Sequence, residues 1–536
     1  MKRSRKYLLL SIMVFIMIYS VLILILYASE RNNPASEIDS IGDALWFSIV
    51  TFSTVGYGDM TPKTPMGYFV GTVFLLTSMG LLVALIGYVV SFMANEGLPL
   101  LKLRTHRYDN WYYLADFTPE SDTLARDILS EDDDAFIIYG IRKDEELENP
   151  DYPCVFINDS PARIVSRKKG KGEECKLFFL RENDIGSNLK AIHIEDLPAS
   201  IYASTVSGAE RMAGNIHLFH ICDCCARSYW KEHPLRSAEN DIVIIGFGNY
   251  GTALLERAIL TNIVDPYFDV NYHIFGDSER FRQLHTNLDI AFGINERREG
   301  HDSLYFHEED WTSARDIISS ADRIIICEDD EEAGWDDMWM IKRYYKTCGR
   351  IDLRSNRPAP GLSTFGTNEE IFTVNQIVRA RLNDAARLMN DLYRQSVEES
   401  LDWDELSDQL QQSKIATADH LPVKIRILLG ENAAANINSK TLRNSYRAFR
   451  AARKDSSVLN DLRKIEHARW VRFYTYYNWS YGENTDDVLR EDPKICDFEE
   501  LNEEQKAYYD RAWELLGEIG RQKWSYRTKI VGGQSQ

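Results

Sequence analysis

Two glycine-punctuated stretches hold the residues whose types and spacing could do chemistry. The first is Thr54, Val55, Gly56, Tyr57 and Gly58, followed by Asp59. Gly56 and Gly58 can take positive-φ conformations closed to other residues, so consecutive carbonyls can all point the same way. Four copies around an axis would stack rings of carbonyl oxygens, with the Thr54 hydroxyl adding one more, and such rings can replace the water shell of K⁺. The second stretch is Gly246, Phe247, Gly248, Asn249, Tyr250 and Gly251, in G-x-G-x-x-G spacing between the strand-like "DIVII" and a helical run. Those glycines permit a tight turn and leave a helix N-terminus free for a phosphate. The next strand-like run, "NYHIFGD", ends in Asp277, placed to meet a ribose hydroxyl, although 26 residues after Gly251 is beyond the usual spacing of about 20.

The first stretch has to be held between two long apolar runs. Tyr7 to Ser29 is 23 residues without a charge, and Met66 to Ala94 is also uncharged. Each exceeds the roughly 20 helical residues needed to cross a hydrocarbon core. A cleaved signal peptide is the competing reading of the first run, but the run is longer than the usual apolar core of about 7 to 15 residues and a second follows. Lys2, Arg3, Arg5 and Lys6 before the first run, with Lys102, Arg104 and Arg107 after the second, place both termini in the cytoplasm. The intervening "DALWFSIVTF" reads as a short helix dipping back into the membrane, its partly negative C-terminal end aimed at the ion's path.

The second stretch needs a sheet. From residue 111 onward, strand-like runs alternate with polar or helical segments, which predicts parallel sheets. From about residue 400 the pattern becomes helical and rich in charge and aromatics. The 536 residues suit three or four domains. A formal charge of −20, carried almost wholly after residue 115, argues against nucleic acid as a partner. Eight scattered cysteines favour a reducing compartment. Cys222, Cys224 and Cys225 cluster, but lack a second ligand pair at zinc spacing, so no metal beyond K⁺ in the filter is expected.

In its helix–loop–helix setting, Asp43 to Met93 with "TVGYGD" resembles the pore of the two-span potassium channels. The resemblance implies a homotetramer with a fourfold pore in the plasma (inner) membrane, and an Asp59 that hydrogen-bonds behind the filter to Trp46. Some family members place a glutamate where this chain has Val50, which leaves Asp59 without a carboxyl partner. Family channels bend the inner helix at a glycine; the aligned position here is Ser78, so Gly80 and Gly87 are the hinge candidates. Residues 241 to 345 resemble the regulator-of-potassium-conductance (RCK) domains, and 111 to 236 looks like a degenerate first copy. There "DFTPESD" stands where the glycine loop would sit, and Pro119 with its acidic neighbours argues against phosphate binding.

Ile465 to Leu516 resembles the ryanodine-receptor repeat (RyR) domain, on His467, Trp470, Trp479, Tyr481, Gly482, Asp486, Pro493, Leu501, Lys506 and Tyr508 to Asp510. Trp470 is expected in its core; Trp479, Tyr481 and Asp486, beside a glycine turn, are the ligand candidates.

The expected fold class is therefore a multidomain membrane protein: an all-α two-span tetrameric K⁺ channel pore, then tandem α/β Rossmann-like (RCK) domains and an α-helical RyR-like domain. The expected boundaries are a pore at 1–100 (spans 7–29 and 66–94, pore helix and filter 43–59), a linker at 101–110, Rossmann-like domains at 111–236 and 241–395, and helices at 400–527. The expected ligands are K⁺ as permeant ion and NAD(H) or another adenine nucleotide as the cytoplasmic small molecule. A membrane-anchored nucleotide-dependent enzyme with a vestigial pore is the alternative. No nucleophile, paired-carboxylate or metal constellation supports catalysis, and a potassium-uptake subunit would carry four unlike pore repeats where this chain has one.

Overall fold

The computed structural model describes residues 2–92, 110–142, 150–157, 160–167, 174–180, 199–205, 212–213, 216–236, 238–347, 349–358, 361–394, 401–435, 437–522 and 525–526. The expected linker 101–110 lies outside them except for its last residue. The chain divides into two compact units, Met1–His106 and Arg107–Gln536.

The first unit holds three helices, α1 (Lys2–Glu30), α2 (Ile41–Phe52) and α3 (Pro65–Phe92). At about 1.5 Å per residue, α1 and α3 are each roughly 40 Å long. Counted over the described side chains alone, no helix is both long and apolar enough to cross a membrane. Residues 2–12 and 14–15 of α1, and 81–82, 84–85, 88 and 91–92 of α3, which make up much of the apolar runs, fall outside that count. Helix α2 starts where Ser40 and Asp43 form a reciprocal capping box, the Asp43 amide donating to Ser40 Oγ (3.1 Å) and the Ser40 amide to Asp43 Oδ2 (2.8 Å). Ile23, Leu26, Ile38, Ala44, Val70 and Phe74 bring the three helices together.

The second unit contains two seven-stranded sheets. The first is built from β1 (Asn110–Phe117), β2 (Ala135–Arg142), β3 (Cys154–Phe156), β4 (Glu174–Phe179), β5 (Ser200–Thr205), β6 (Met212–Ala213) and β7 (Ile216–His220). The second is built from β8 (Asp241–Ile245), β9 (Asn271–Phe275), β10 (Gly293–Ile294), β11 (Ser303–His307), β12 (Arg323–Ile326), β13 (Arg350–Arg354) and β14 (Ser363–Phe365). Their orders are β3-β2-β1-β4-β5-β7-β6 and β10-β11-β9-β8-β12-β13-β14. The first contains the 3-2-1-4-5 succession of a dinucleotide-binding fold, as does the second once the two-residue edge strand β10 is set aside, each reversing direction at its first strand. Pairing is parallel throughout except between β6 and β7. Both faces are covered, so the central strands bury nearly every residue, as in "DIVII" of β8 and "RIII" of β12.

The two sheets share an interface. The helix Ile221–Glu232, which ends the first Rossmann-like domain, packs on Asn249–Thr261, the glycine-loop helix of the second. Buried charges fix the register there, with Arg257 Nε 2.6 Å from Asp223 Oδ1 and Arg227 Nε 2.8 Å from Asp419 Oδ2. Beyond β14 the chain turns back to the first sheet, where the Val374 amide donates to Asp127 Oδ2 (2.7 Å).

The helical body begins earlier than composition suggests. Asp384–Arg394, read above with the second Rossmann-like domain, buries Ala385, Ala386, Met389 and Leu392 in one core with Leu421, Phe449, Leu462 and Trp513. Its short apolar stripe has no sheet to cover and joins the helices Asp408–Asp419, Ser456–Tyr476 and Asp510–Ile519 instead.

Candidate ion pathway and ligand sites

The loop after α2 has the backbone that the sequence predicts. Thr54, Gly56 and Gly58 have φ of 61°, 56° and 73°, while Val55 and Tyr57 stay outside the positive-φ region. This alternation swings successive carbonyls to one side. On the other side, the Val55 and Gly56 amides donate to the Val50 carbonyl at the end of α2 (3.2 and 3.3 Å). Thr54 tolerates a left-handed conformation that costs a non-glycine residue roughly 1 kcal/mol or more. Trp46 Nε1 donates to Asp59 Oδ2 at 2.9 Å, and the Trp46 ring lies parallel to Tyr57, 6.3 Å between centroids. Val55 and Tyr57 are 53% and 69% exposed in the single chain.

A residue the sequence reading passed over ties the end of α1 to the segment entering α3. Glu30, fully buried at the end of α1, accepts hydrogen bonds from the Lys63 amide (3.0 Å), the Thr64 amide (2.9 Å) and Thr64 Oγ1 (2.6 Å). Burial pushes its carboxyl up, but the four hydrogen bonds from Thr64, Ser36 and Lys63 outweigh burial and hold it below the ordinary carboxylate range. Its signal was available as the lone acid closing an apolar run. Ser78 is buried with its hydroxyl on the Leu75 carbonyl (2.8 Å), whereas a side chain at Gly80 or Gly87 would meet nothing within 4 Å in the single chain.

The glycine loop has the predicted course and a different partner. Gly246 has a φ of 91°, Gly248 caps the helix Asn249–Thr261, and Phe247 is buried against Phe281 and Phe306. A Cβ on Gly246 would come within 2.6 Å of the Glu328 amide, one on Gly248 within 2.5 Å of the Asp329 carboxylate, and one on Gly251 would run into the Gly246 carbonyl. The helix N-terminus is already capped from across the sheet: the Asn249 and Tyr250 amides donate to Asp329 Oδ2 (3.1 Å) and Oδ1 (3.3 Å). Arg354 donates to the Glu328 and Asp329 carbonyls and lies 4.2 Å over the Tyr250 ring, fixing this arrangement.

The adjoining cleft, about 720 Å³, is lined by Asp277, Glu279, Glu308, Glu309, Asp310 and Glu328 against the single guanidinium of Arg282. Burial and the neighbouring Asp337 and Asp329 raise the Glu328 carboxyl. Asp277 follows the end of β9 by two residues and accepts from the Glu279 amide (3.1 Å). The acidic run after β12 was visible in sequence. Its meeting with the glycine loop depends on β12 pairing with β8. In the first sheet the equivalent helix, Pro119–Glu131, closes its own N-terminus with Thr118 and Ser121.

In the helical body, Trp479 is buried with its ring edge-on to Tyr474, Tyr481 is 58% exposed, and Asp486 caps its own turn by accepting from the Val488 and Leu489 amides. None of the three lines the glycine-loop cleft or the cavity described next. Trp470, expected in the core, is buried and also lines a cavity of about 480 Å³ bounded by the helices Asp384–Arg394, Asp408–Asp419, Ser456–Tyr476 and Asp510–Ile519. Glu466 and Arg469 on the same helix line it as well, and Glu466 binds both Arg469 Nη2 (2.7 Å) and Lys424 Nζ (2.8 Å). Burial pushes the Glu466 carboxyl up, but Arg469 and Lys424 outweigh it and hold the group well below its usual range. Only the i, i+3 and i, i+4 spacing of Glu466, Arg469, Trp470 and Tyr474 could have hinted at this face.

A family profile described as Ion channel matches residues 8–95. The voltage-gated potassium channel of Aeropyrum pernix is 47% identical over 64 residues, 12% of this chain and 22% of the relative. Potassium voltage-gated channel subfamily A member 10 of Mus musculus is 52% identical over 46 residues, 9% of each. The chain thus spans less than a quarter of the length of these relatives. Two solved structures, GsuK bound to ADP and the GsuK channel bound to NAD, align over 71% and 70% of this chain and 98% and 84% of theirs. Their identities are 15% and 13% and their TM-scores 0.32 and 0.33. The N-terminal unit therefore carries an ion-channel domain whose relatives are potassium channels.

Proposed function

We propose that this chain is the subunit of a homotetrameric, potassium-selective channel, gated by a nucleotide or related small molecule in the cytoplasm through its RCK-like and RyR-like regions. The observation that carries the reading is the 54–58 loop. Alternating backbone handedness frees its carbonyls, the Val50 carbonyl holds its amides, and the Trp46–Asp59 hydrogen bond supports it from behind. Among the described residues these carbonyls accept no hydrogen bond; four such loops around an axis make the coordination rings that K⁺ requires. The exposed Val55 and Tyr57 side chains are surface for neighbouring subunits to cover. The uncharged runs at 7–29 and 66–94 and the flanking basic residues support a two-span topology in the plasma membrane with both termini cytoplasmic.

A ligand acts on such a pore only if it binds the closed and open states differently. The C-terminal helices are positioned to report binding to the Rossmann-like sheets. Arg472 Nη1 lies 2.7 Å from Asp302 Oδ2, Asn478 Nδ2 donates to the Leu284 carbonyl (2.7 Å), and His420 Nε2 donates to the Ile263 carbonyl (3.0 Å). The test is reconstitution of the full chain in liposomes. K⁺ efflux that greatly exceeds Na⁺ efflux supports the reading, and equal fluxes of the two ions overturn it.

A further inference from the structure

We propose that the cavity between the C-terminal helices binds a nucleotide, its base against the aromatic wall and its phosphate on Arg469. The ligand class deepens the gating reading above, although binding itself can be measured without a conducting pore. Three observations carry it.

The first is charge. Lys424, Arg469 and Glu466 are each at most 3% exposed, so a permanently charged guanidinium and a lysine, whose ammonium burial pushes below its usual range, share one carboxylate in the interior. The neighbouring His420 is also buried, and burial drops it to about 4, so it is neutral and adds no charge at pH 7. Burying an unbalanced cation is costly, and an anion in the adjacent cavity removes that cost.

The second is an orphan donor. Arg469 lines the cavity, its Nε and Nη2 are engaged by Glu466, and its Nη1 is buried with no hydrogen-bond partner. An anion that reached this guanidinium from the cavity would supply the acceptor that Nη1 lacks. Lys414, on the opposing helix, lies 4.2 Å over the Tyr393 ring and adds a second positive charge at the cavity.

The third is the wall. Trp470 and Tyr474 stand 4.2 Å apart between ring centroids, and Tyr508 and Tyr393 face the same space. A volume of about 480 Å³ lies in the range of ligand pockets and admits a nucleoside monophosphate. Stacking of a base on such rings is a general source of affinity for nucleotides. The glycine-loop cleft, although it has Phe275, Trp311 and Arg282 in its wall, suits an anion poorly, with its helix N-terminus capped by Asp329 and six carboxylates facing one arginine.

Isothermal titration of the full-length protein in lipid nanodiscs tests the assignment, with the four nucleoside 5′-monophosphates, adenosine and inorganic phosphate as probes. At least one monophosphate is expected to bind, with adenosine and phosphate each weaker by about tenfold or more, because each satisfies only half of the site. Arg469→Gln is expected to lower the affinity by about tenfold or more. Should that variant fail to fold, Lys414→Gln and Tyr508→Leu, at less buried positions, are expected to weaken binding several-fold, by roughly the worth of one charge-assisted hydrogen bond or one stacking face. Wild-type affinity in all three variants overturns the proposal. So does binding abolished only by Gly248→Asp, which would place the ligand on the glycine loop, and so does the absence of any monophosphate binding below about 1 mM. K⁺ flux, measured separately, distinguishes failure of this site from failure of the channel reading.

Discussion

The filter loop and the glycine loop both depend on glycines and both include positive φ, at Gly56 and Gly58 in one and Gly246 in the other, yet they use them for opposite ends. In the filter loop, Gly56 and Gly58 are needed for their φ alone, since a Cβ at either would meet nothing within 4 Å of the single chain. Its carbonyls are left open, to be used by an ion. In the glycine loop, Gly246, Gly248 and Gly251 are needed because the chain's own backbone and the Asp329 carboxylate come within 2.6 Å of where side chains would be. Its Asn249 and Tyr250 amides are already satisfied by Asp329. A glycine motif therefore says that a backbone needs room or an unusual φ; whether a ligand or the protein itself fills the room is decided elsewhere.

The largest test of that contrast is Gly56→Ala. A Cβ disfavours φ of 56° and rotates the carbonyl ladder, so K⁺ flux in liposomes is expected to fall to the level of empty vesicles while the protein remains folded and assembled. Retained K⁺ selectivity in that variant would remove the basis for the filter. Next comes Gly251→Ala, where the added methyl meets the Gly246 carbonyl in a packed turn. A loss of about 2 to 4 kcal/mol is expected, read as a lower thermal midpoint of the purified chain, with pore selectivity untouched.

Asp329→Asn should matter less and in the other direction. It removes the charge that occupies the helix N-terminus, so the affinity of the glycine loop for ADP is expected to rise by about tenfold in calorimetric titration. Tight ADP binding in the wild type, lost on Gly248→Asp, would instead show that Asp329 yields readily and that the two loops are alike. The smallest effect is expected for Trp46→Phe, which deletes the 2.9 Å hydrogen bond to Asp59 but keeps a ring near Tyr57. One such bond is worth about 1 kcal/mol, so open dwell times in single-channel recordings should shorten by about fivefold with K⁺ selectivity preserved. Unaltered dwell times would mean that the bond does not brace the filter.

Much of the fold was legible because its signals are local. The glycines of both loops and the apolar runs "DIVII" and "RIII" each act within a few residues, and each appears where the pattern predicts. The ligand candidates in the helical body were legible only in part. Trp479, Tyr481 and Asp486 were chosen for their nearness to a turn, and that turn is stabilised by its own backbone and by Asp486. Trp470 was expected in the core of the RyR-like region, and the sequence cannot tell a ring packed on neighbours from one that also borders a cavity.

The sequence by itself determined which backbone conformations were open at 54–58 and 246–251, because φ is limited by the residue's own Cβ and its immediate neighbours. It also determined that the chain would alternate strand and helix from residue 111. Only the tertiary structure decided that Asp329, 80 residues from Asn249, would cap the glycine-loop helix, and that Tyr393, Lys414, Arg469 and Tyr508 would line one cavity. Those meetings depend on strand order and helix packing. They follow from the burial of many residues at once, and no short stretch of the chain contains the information.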